Sequence, residues 1–356
     1  MSGPSRRAPG GRAPIPSAGD ALRPLLLAAD IGNSKTDLAL FRADGALLAA
    51  VRGPTASHQA VGLDAAAEAL AALVARARTE TGLEPAARPG ADLAVVCAAG
   101  ADFRDEIRDL VRRHERAGIA ATVVVRNDTH AALRAGTDGG PGVAVVCGAG
   151  INCLGVASHG REARFPAIGE NSGDWGGGGA LGSAALAAAV RARDGRGPRT
   201  ALERLVPARF GLRRPVDVTM ALYRGGLDEE RLADLAPDVF AAAGRGDAVA
   251  RAILDRLADE IVAMAGAAIR RARLVRRAPP VVLAGGIFRA DDAAFFDRIR
   301  GGIGRVAPGA QVVRLDAPPV LGAALLALDL LGRPDRAAAS ARLRAALTFE
   351  RLEPGR

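Results

Sequence analysis

The chain has 356 residues, a net charge of +9 and only 3% aromatic residues. Its length suggests two domains with a core of small aliphatic side chains. Surplus arginine is concentrated in residues 1–24 and 332–356, which we expect to be tails, and no aromatic residues alternate with the arginines between them. This distribution argues against a nucleic-acid partner. No apolar run is long enough to span a bilayer, so no membrane partner is expected.

The three cysteines, Cys97, Cys147 and Cys153, lie in apolar runs without metal-ligand spacing. They are predicted to be buried thiols in a reducing compartment. Residues 1–24 are rich in Pro, Gly, Ser and Arg and lack the apolar stretch of a secretory signal, which favours a disordered tail. We therefore expect a cytoplasmic protein.

The stretch 25–41 is the most informative part of the chain. An apolar run ends at Asp30, a polar turn follows, and a second apolar run ends at Phe41. The pattern predicts two strands joined by a tight turn. Gly32 and Asn33 permit positive φ, so backbone N–H groups of this turn can line a nest for an anion. The only lysine of the chain, Lys35, lies in the turn; an ordinary β-hairpin is the alternative interpretation.

The rest of the first half predicts strands alternating with helices. Strands are expected at 46–51, 93–97 and 121–125, and helices at 64–78 and after Phe103. Such alternation after a hairpin predicts an α/β fold, with a mixed sheet flanked by helices.

In the second half the opening pattern returns, because a strand, a glycine turn and a strand recur at 143–157. This weak internal repeat predicts two related lobes, 25–140 and 141–331, with a cleft between them. A helical insert is expected at about 198–276. After it we predict strands at 280–284 and near 312–313 and a last helix at 320–331.

The rarest polar residues cluster in four short glycine-bearing loops, at Asn33, Lys35, Asn127, Asn152, Asn171 and Trp175. Asparagine suits turns for backbone reasons alone, yet this clustering favours a shared site. No Gly-Lys-Ser/Thr P-loop is present, and the Gly177-x-Gly179-x-x-Gly182 spacing does not follow a predicted strand, so we reject a dinucleotide-binding motif. Any phosphate would have to be bound by hairpin turns.

Three segments resemble motifs of the sugar kinase/Hsp70/actin superfamily. Residues 30–36 and 147–152 resemble its two phosphate motifs, and Leu283-Ala-Gly-Gly-Ile287 resembles its adenosine motif. Residues 173–182 and 191–198 closely resemble the BadF/BadG/BcrA/BcrD ATPase family, which includes N-acetylglucosamine kinases. The resemblance covers about 25–331. It implies a two-lobed actin-like ATPase (ribonuclease H-like) fold, ATP and Mg²⁺ as cofactors, a small-molecule sugar substrate and a homodimer.

The resemblance also implies roles for single residues. Asp128 would be the catalytic base, and Asp30 would hold Mg²⁺ through water; a helix cap or a turn cap is the alternative for each. The phosphates of ATP would contact Gly32, Asn33, Ser34, Lys35, Thr36, Gly148, Ala149 and Gly150. Adenosine would lie against Gly285 and Gly286. The sugar would contact Ser57, His58, Asn127, Asp128, Asn152 and Asp174.

Some departures from the family pattern leave the identity of the sugar open. The family's N-acetylglucosamine kinases carry asparagine where this chain has Ser57, serine near Ala98 and Ala99, and glutamate where Trp175 follows Asp174. An amino sugar is still the expected substrate. One alternative is an iron–sulfur ATPase that activates a dehydratase, which needs cysteines at glycine-rich loops. Another is a non-catalytic sugar-sensing regulator, which would need a helix-turn-helix module.

Overall fold

The computed structural model describes residues 24–353. The expected N-terminal tail lies, except for Pro24, outside the described residues. Within the described part, ten strands form two five-stranded sheets, one in each lobe. None of the helices in this part is long and apolar enough to cross a lipid bilayer.

The first sheet has the strand order β3-β2-β1-β4-β5. Its strands are β1 (Leu25–Ile31), β2 (Thr36–Arg42), β3 (Leu47–Gly53), β4 (Leu93–Ala98) and β5 (Thr122–Asn127). Strands β1, β2 and β3 are antiparallel, whereas β4 and β5 run parallel to β1. The helices of this part of the chain are α1 (His58–Val61), α2 (Leu63–Glu80), α3 (Arg104–Ala117) and α4 (Asp128–Ala135).

The second sheet repeats this topology, with the order β10-β9-β6-β7-β8. Its strands are β6 (Gly142–Cys147), β7 (Ile151–Val156), β8 (Glu162–Arg164), β9 (Pro280–Ala284) and β10 (Gln311–Arg314). Again a three-stranded antiparallel meander is extended by two parallel strands. Two lobes with equivalent mixed sheets confirm the predicted fold class.

Between β8 and β9 the chain is almost entirely helical, as the sequence predicted. The helices are α5 (Gly177–Arg193), α6 (Leu202–Arg209), α7 (Pro215–Tyr223), α8 (Ala236–Gly244) and α9 (Ala248–Arg271). They share one aliphatic core with strands β6, β7 and β9. Helix α10 (Ala293–Val306) joins β9 to β10 and packs against α9.

The C-terminal helices differ from the expectation, because they belong to the first lobe. Helix α11 (Pro319–Leu331), which we assigned to the second lobe, packs on β1 and β4 together with α12 (Arg336–Ala346). The segment expected to be a loose tail buries Leu343 and Leu347 in this core, and α13 (Phe349–Leu352) buries Leu352. Apolar side chains four residues apart supply the face that packs. The arginine surplus of this segment concealed that face.

Helices α4 and α11 cross at a close backbone contact that depends on Gly322. A Cβ atom at this position would overlap the carbonyl group of Ala131 in α4. We therefore expect Gly322→Ala to lower the free energy of unfolding by about 1–3 kcal/mol, the usual cost of overpacking, as measured by urea denaturation. Gly304→Ala in α10 is the control, since a Cβ there meets no atom. A Gly322→Ala variant as stable as the Gly304→Ala variant would contradict this account of the crossing.

Candidate active site

Strand register brings the predicted catalytic residues to one edge of the first sheet. Asp30 near the end of β1 pairs with Cys97 of β4, and the next pair along joins Ala98 of β4 to Asn127 of β5. Asn127 then caps helix α4 by accepting a hydrogen bond from the backbone N–H of Thr129 at 3.1 Å. Since β1, β4 and β5 are parallel, their carboxyl ends meet where an open α/β sheet binds its ligands.

Asp128, the first residue of α4, has an unusual environment. Its Oδ1 atom is buried and has no hydrogen-bond partner among the described residues. Burial, and next the negative charge of Asp102, raise the pKa of Asp128 to about 7. Burial and the charge of Asp128 raise the pKa of Asp30 well above the usual value of an aspartate. A carboxyl group that titrates near neutrality is suited to accept a proton from a substrate.

The first hairpin turn is fixed by a neighbouring loop. The N–H of Gly32 donates to the carbonyl oxygen of Lys35 at 3.0 Å, and the Thr55 hydroxyl donates to the Gly32 carbonyl at 2.7 Å. The fully buried Thr36 hydroxyl accepts from the N–H of Ala56 at 2.8 Å. It therefore stabilises the turn, whereas Asn33 and Ser34 are exposed toward solvent.

One expectation for this turn needs correction. Neither Gly32 nor Asn33 has a positive φ, so the turn contains no left-handed residue. The Lys35 ammonium lies 3.8 Å from a carboxylate oxygen of Asp37. The guanidinium of Arg52 donates one hydrogen bond to each carboxylate oxygen of Asp37. Burial, followed by the positive charges of Arg52 and Arg289, lowers the pKa of Lys35.

The glycine turns of the second lobe meet at the matching edge of the other sheet. The carbonyl groups of Gly148 and Ala149 accept hydrogen bonds from Gly178 and Gly179 at the start of α5, at 2.7 and 3.0 Å. Gly285 has a φ of +110°, and a Cβ there would overlap the backbone of Cys147. The turns after β6 and β9 are therefore in direct backbone contact.

Other glycines at this edge are not required by the protein's own packing. A Cβ atom at Gly148, Gly150 or Gly286 would meet no atom within 4 Å, and none of the three has a positive φ. Any small residue could occupy these positions in the unliganded fold. The open space beside three such glycines is suited to a ligand that approaches the backbone closely, as a nucleotide does.

Two of the predicted sugar-binding residues meet at a residue that the sequence did not single out. Asp102, between β4 and α3, accepts hydrogen bonds at its Oδ1 atom from Asn127 Nδ2 at 2.9 Å and from Asn152 Nδ2 at 3.2 Å. Arg164 of β8 donates to the same oxygen at 3.2 Å. One sequence signal could have identified Asp102. It is an acidic residue that follows β4, at the same end of the sheet as Asp30 and Asn127.

The other predicted sugar contacts are Ser57, His58 and Asp174. Ser57 is fully buried and donates to Asn33 Oδ1 at 2.9 Å, so it stabilises the first hairpin. Both ring nitrogens of His58 are buried without a partner among the described residues, as are those of the neighbouring His114. Burial, then the proximity of His58, lowers the pKa of His114 to about 4. Asp174 is buried and accepts from the Ser172 hydroxyl.

Trp175 is part of the second-lobe core, and the guanidinium of Arg256 lies 3.9 Å from the centre of its ring. Packing therefore accounts for this side chain. Cys97, Cys147 and Cys153 are buried free thiols, and burial raises the pKa of each. None of them is presented at a surface loop, which the iron–sulfur alternative requires.

The single carboxylate of Asp30 fits a magnesium ion whose other ligands are water and phosphate oxygens. Within residues 24–353 there is no group of three His, Cys, Asp or Glu side chains that could enclose a metal ion. Mg²⁺ is usually bound by one or two carboxylates, with water and substrate phosphates completing the octahedron. The carboxyl of Asp30, which burial and Asp128 disfavour as an anion, would be stabilised by a cation there.

The repeated sheet topology and the cleft between the two edges define a two-lobed protein of the actin-like ATPase fold. The family model described as "BadF/BadG/BcrA/BcrD ATPase family" matches residues 29–327, and the chain belongs to this family. Family membership confirms the resemblance on which the residue roles were predicted.

Named relatives match between 64% and 86% of this chain. The N-acetyl-D-glucosamine kinase of Dictyostelium discoideum is 27% identical over 86% of this chain and 98% of its own. The N-acetylmuramic acid/N-acetylglucosamine kinase of Clostridium acetobutylicum is also 27% identical, over 64% of this chain and 74% of its own. The structure of a candidate N-acetylglucosamine kinase from Chromobacterium violaceum superposes with a TM-score of 0.69 at 26% identity, covering 86% of this chain and 99% of that one.

The raised pKa of Asp128 predicts a pH-dependent cost of folding. A carboxyl whose pKa is higher in the folded state favours folding only while protonated. The advantage is full below about pH 4 and is lost as the pH rises through about 7. Asp128→Asn should therefore be more stable than the parent at pH 8, by about 4 kcal/mol, with the gain vanishing near pH 4.

Urea unfolding of both proteins at pH 4, 6 and 8 measures this difference. Asp138→Asn is the matched control, because Asp138 is exposed and should change stability equally little at every pH. A gain from Asp128→Asn that does not depend on pH would show that the carboxyl ionises freely in the folded protein.

Proposed function

We propose that this protein is a sugar kinase that transfers the γ-phosphoryl group of ATP to a hydroxyl group of an amino sugar such as N-acetylglucosamine. The observation that carries the proposal is Asp128, whose unpartnered carboxylate oxygen lies at the edge of the first sheet with a pKa of about 7. Family membership and the sugar kinases among the relatives support the same activity.

Asp128 is proposed as the general base of the transfer. Its free Oδ1 atom would accept a hydrogen bond from the sugar hydroxyl and orient that oxygen toward the γ-phosphorus. As the new O–P bond forms, the bond between the γ-phosphorus and the bridging oxygen of ADP breaks, and Asp128 takes the hydroxyl proton. Such a transfer depends mainly on positioning and on charge stabilisation.

The nucleotide is proposed to lie between the two glycine-bearing edges. Exposed Asn33 and Ser34 of the first hairpin would contact the phosphates from one lobe, with Lys35 nearby. Gly148, Ala149 and Gly150 would approach them from the other lobe. Adenosine would lie against Gly286, where the backbone has open space. Mg²⁺ held through water by Asp30 would neutralise charge on the β- and γ-phosphates when it is bound.

Assembly as a homodimer through the insert 198–276 and a cytoplasmic location remain predictions from the family resemblance. They affect neither the chemistry nor the tests below, which are made on the purified chain.

A sugar panel tests the proposed activity. With Mg-ATP, the wild-type protein should release ADP in proportion to one of the amino sugars N-acetylglucosamine, N-acetylmuramic acid and N-acetylmannosamine, and not with the neutral hexose glucose. Asp128→Asn should lower kcat at least 10²-fold while ATP still binds, because the base is lost and the fold is kept. Binding is checked by calorimetry with the non-hydrolysable analogue AMPPNP. No sugar-dependent ADP release from the wild type, or full turnover in the variant, would contradict the proposal.

Gly286→Ala tests the place of adenosine. Since a Cβ at residue 286 meets no protein atom, the variant should fold normally. We expect the KM for ATP to rise roughly tenfold, equivalent to about 1.4 kcal/mol of lost binding, with the KM for sugar unchanged. Gly304→Ala, in an equally open position in helix α10, serves as the control. An unchanged KM for ATP in Gly286→Ala would mean that adenosine binds elsewhere.

A further inference from the structure

We propose that Asp102 and Arg164 form a latch across the cleft, which holds the two lobes together at the sugar site and positions the acceptor for Asp128. This inference rests on the proposed function. It assigns a role to two residues that the sequence did not select, and it follows from the contacts of one buried carboxylate.

The contacts of Asp102 come from both lobes. Its side chain is only 4% exposed, and its Oδ1 atom accepts from Asn127 of the first lobe and from Asn152 and Arg164 of the second. Arg164 uses the same nitrogen to reach the carbonyl oxygen of Ala101 at 3.0 Å. Three donors on one carboxylate oxygen, one of them charged, make a strong and directional junction.

The second-lobe side of this junction is itself held firmly. Arg271 of α9 donates to the carbonyl oxygen of Arg164 at 2.9 Å, and its guanidinium lies 4.9 Å from the ring centre of Phe165. The end of β8 is thereby tied to the longest helix of the insert. Arg164 is therefore anchored to the second lobe through its own backbone.

The junction also explains what the two asparagines do. Asn127 Oδ1 accepts from the N–H and hydroxyl of Thr129, and Asn152 Oδ1 accepts from the N–H of Cys153 at 2.7 Å. With both amide NH₂ groups donating to Asp102, the asparagines orient the carboxylate. The second oxygen of Asp102 accepts no hydrogen bond from the described residues, so it is the group left to receive a sugar hydroxyl.

Charge connects this latch to the base. The carboxylate of Asp102 raises the pKa of Asp128, and the guanidinium of Arg164 lowers it. Asp30 is a further acidic group in electrostatic reach of Asp128. The two halves of the latch therefore act on Asp128 with opposite sign, although both hold the lobes in the same way.

Asp102→Asn and Arg164→Gln test the proposal together. Each should raise the KM for N-acetylglucosamine about tenfold and leave the KM for ATP within twofold. The acid limb of kcat/KM should move to lower pH in Asp102→Asn and to higher pH in Arg164→Gln. In the double variant the KM should match that of the worse single variant, because one contact is lost in all three. Equal rises in both KM values, additive effects, or limbs that move together would overturn the latch.

Two further variants keep the test interpretable. Arg251→Gln removes an ion pair with Asp292 within the second lobe, at similar exposure (27% against 24% for Arg164), and should leave both KM values unchanged. Arg164→Lys retains the positive charge but shortens the side chain, so it should raise the KM for sugar without moving the acid limb. A change in KM for sugar in Arg251→Gln equal to that in Arg164→Gln would count against the latch.

Thermal unfolding without ligand separates failure of the latch from failure of the proposed function. If the latch exists, the loss of Tm in the double variant is smaller than the sum of the two single losses. If the variants show this coupling but the wild-type protein phosphorylates no sugar, the latch is retained and the kinase proposal is rejected. Sugar phosphorylation with no thermal coupling would reject the latch alone.

Discussion

Electrostatic repulsion between buried carboxyl groups is the constraint around which the cleft is built. Asp128 lies within electrostatic reach of both Asp30 and Asp102, and burial disfavours the ionised form of all three. Parallel pairing of β1, β4 and β5 makes this crowding unavoidable, because it brings their carboxyl ends to one edge. Positively charged side chains from other parts of the chain offset this repulsion, and one of them, Arg164, comes from the second lobe. Like charges so arranged favour the binding of a cation near them.

The two lobes share a topology but use their glycines for different purposes. Gly285 permits a backbone contact between the turns after β6 and β9, so it serves the fold. Gly286, one residue later, has open space where its side chain would be, so the fold itself does not require a glycine there. This difference cannot be recognised in a Gly-Gly dipeptide. It becomes visible once the neighbours of each missing Cβ are known.

Local patterns were sufficient for the strands, the helical insert and the repeat, since hydrophobic periodicity is a property of neighbouring residues. The family motifs singled out Asp128 and the glycine turns as candidates for the proposed site. What could not be predicted were the partners of polar side chains across the sheet: Thr36 and Ser57 bond within the first lobe, and Asp102 joins the two. Helix α12 was missed for another reason, because its apolar face lies among arginines that suggested a solvated tail.

The order in which the chain is made has a consequence for the first lobe. One face of its sheet, with Leu26, Phe41 and Val95, is covered by side chains of α11 and α12 such as Leu325 and Leu343. Synthesis proceeds from the N-terminus, so about two hundred residues separate the finished sheet from the helices that cover it. Throughout that interval the nascent chain exposes an apolar sheet face. The first lobe therefore completes its folding only after the second lobe has been synthesised.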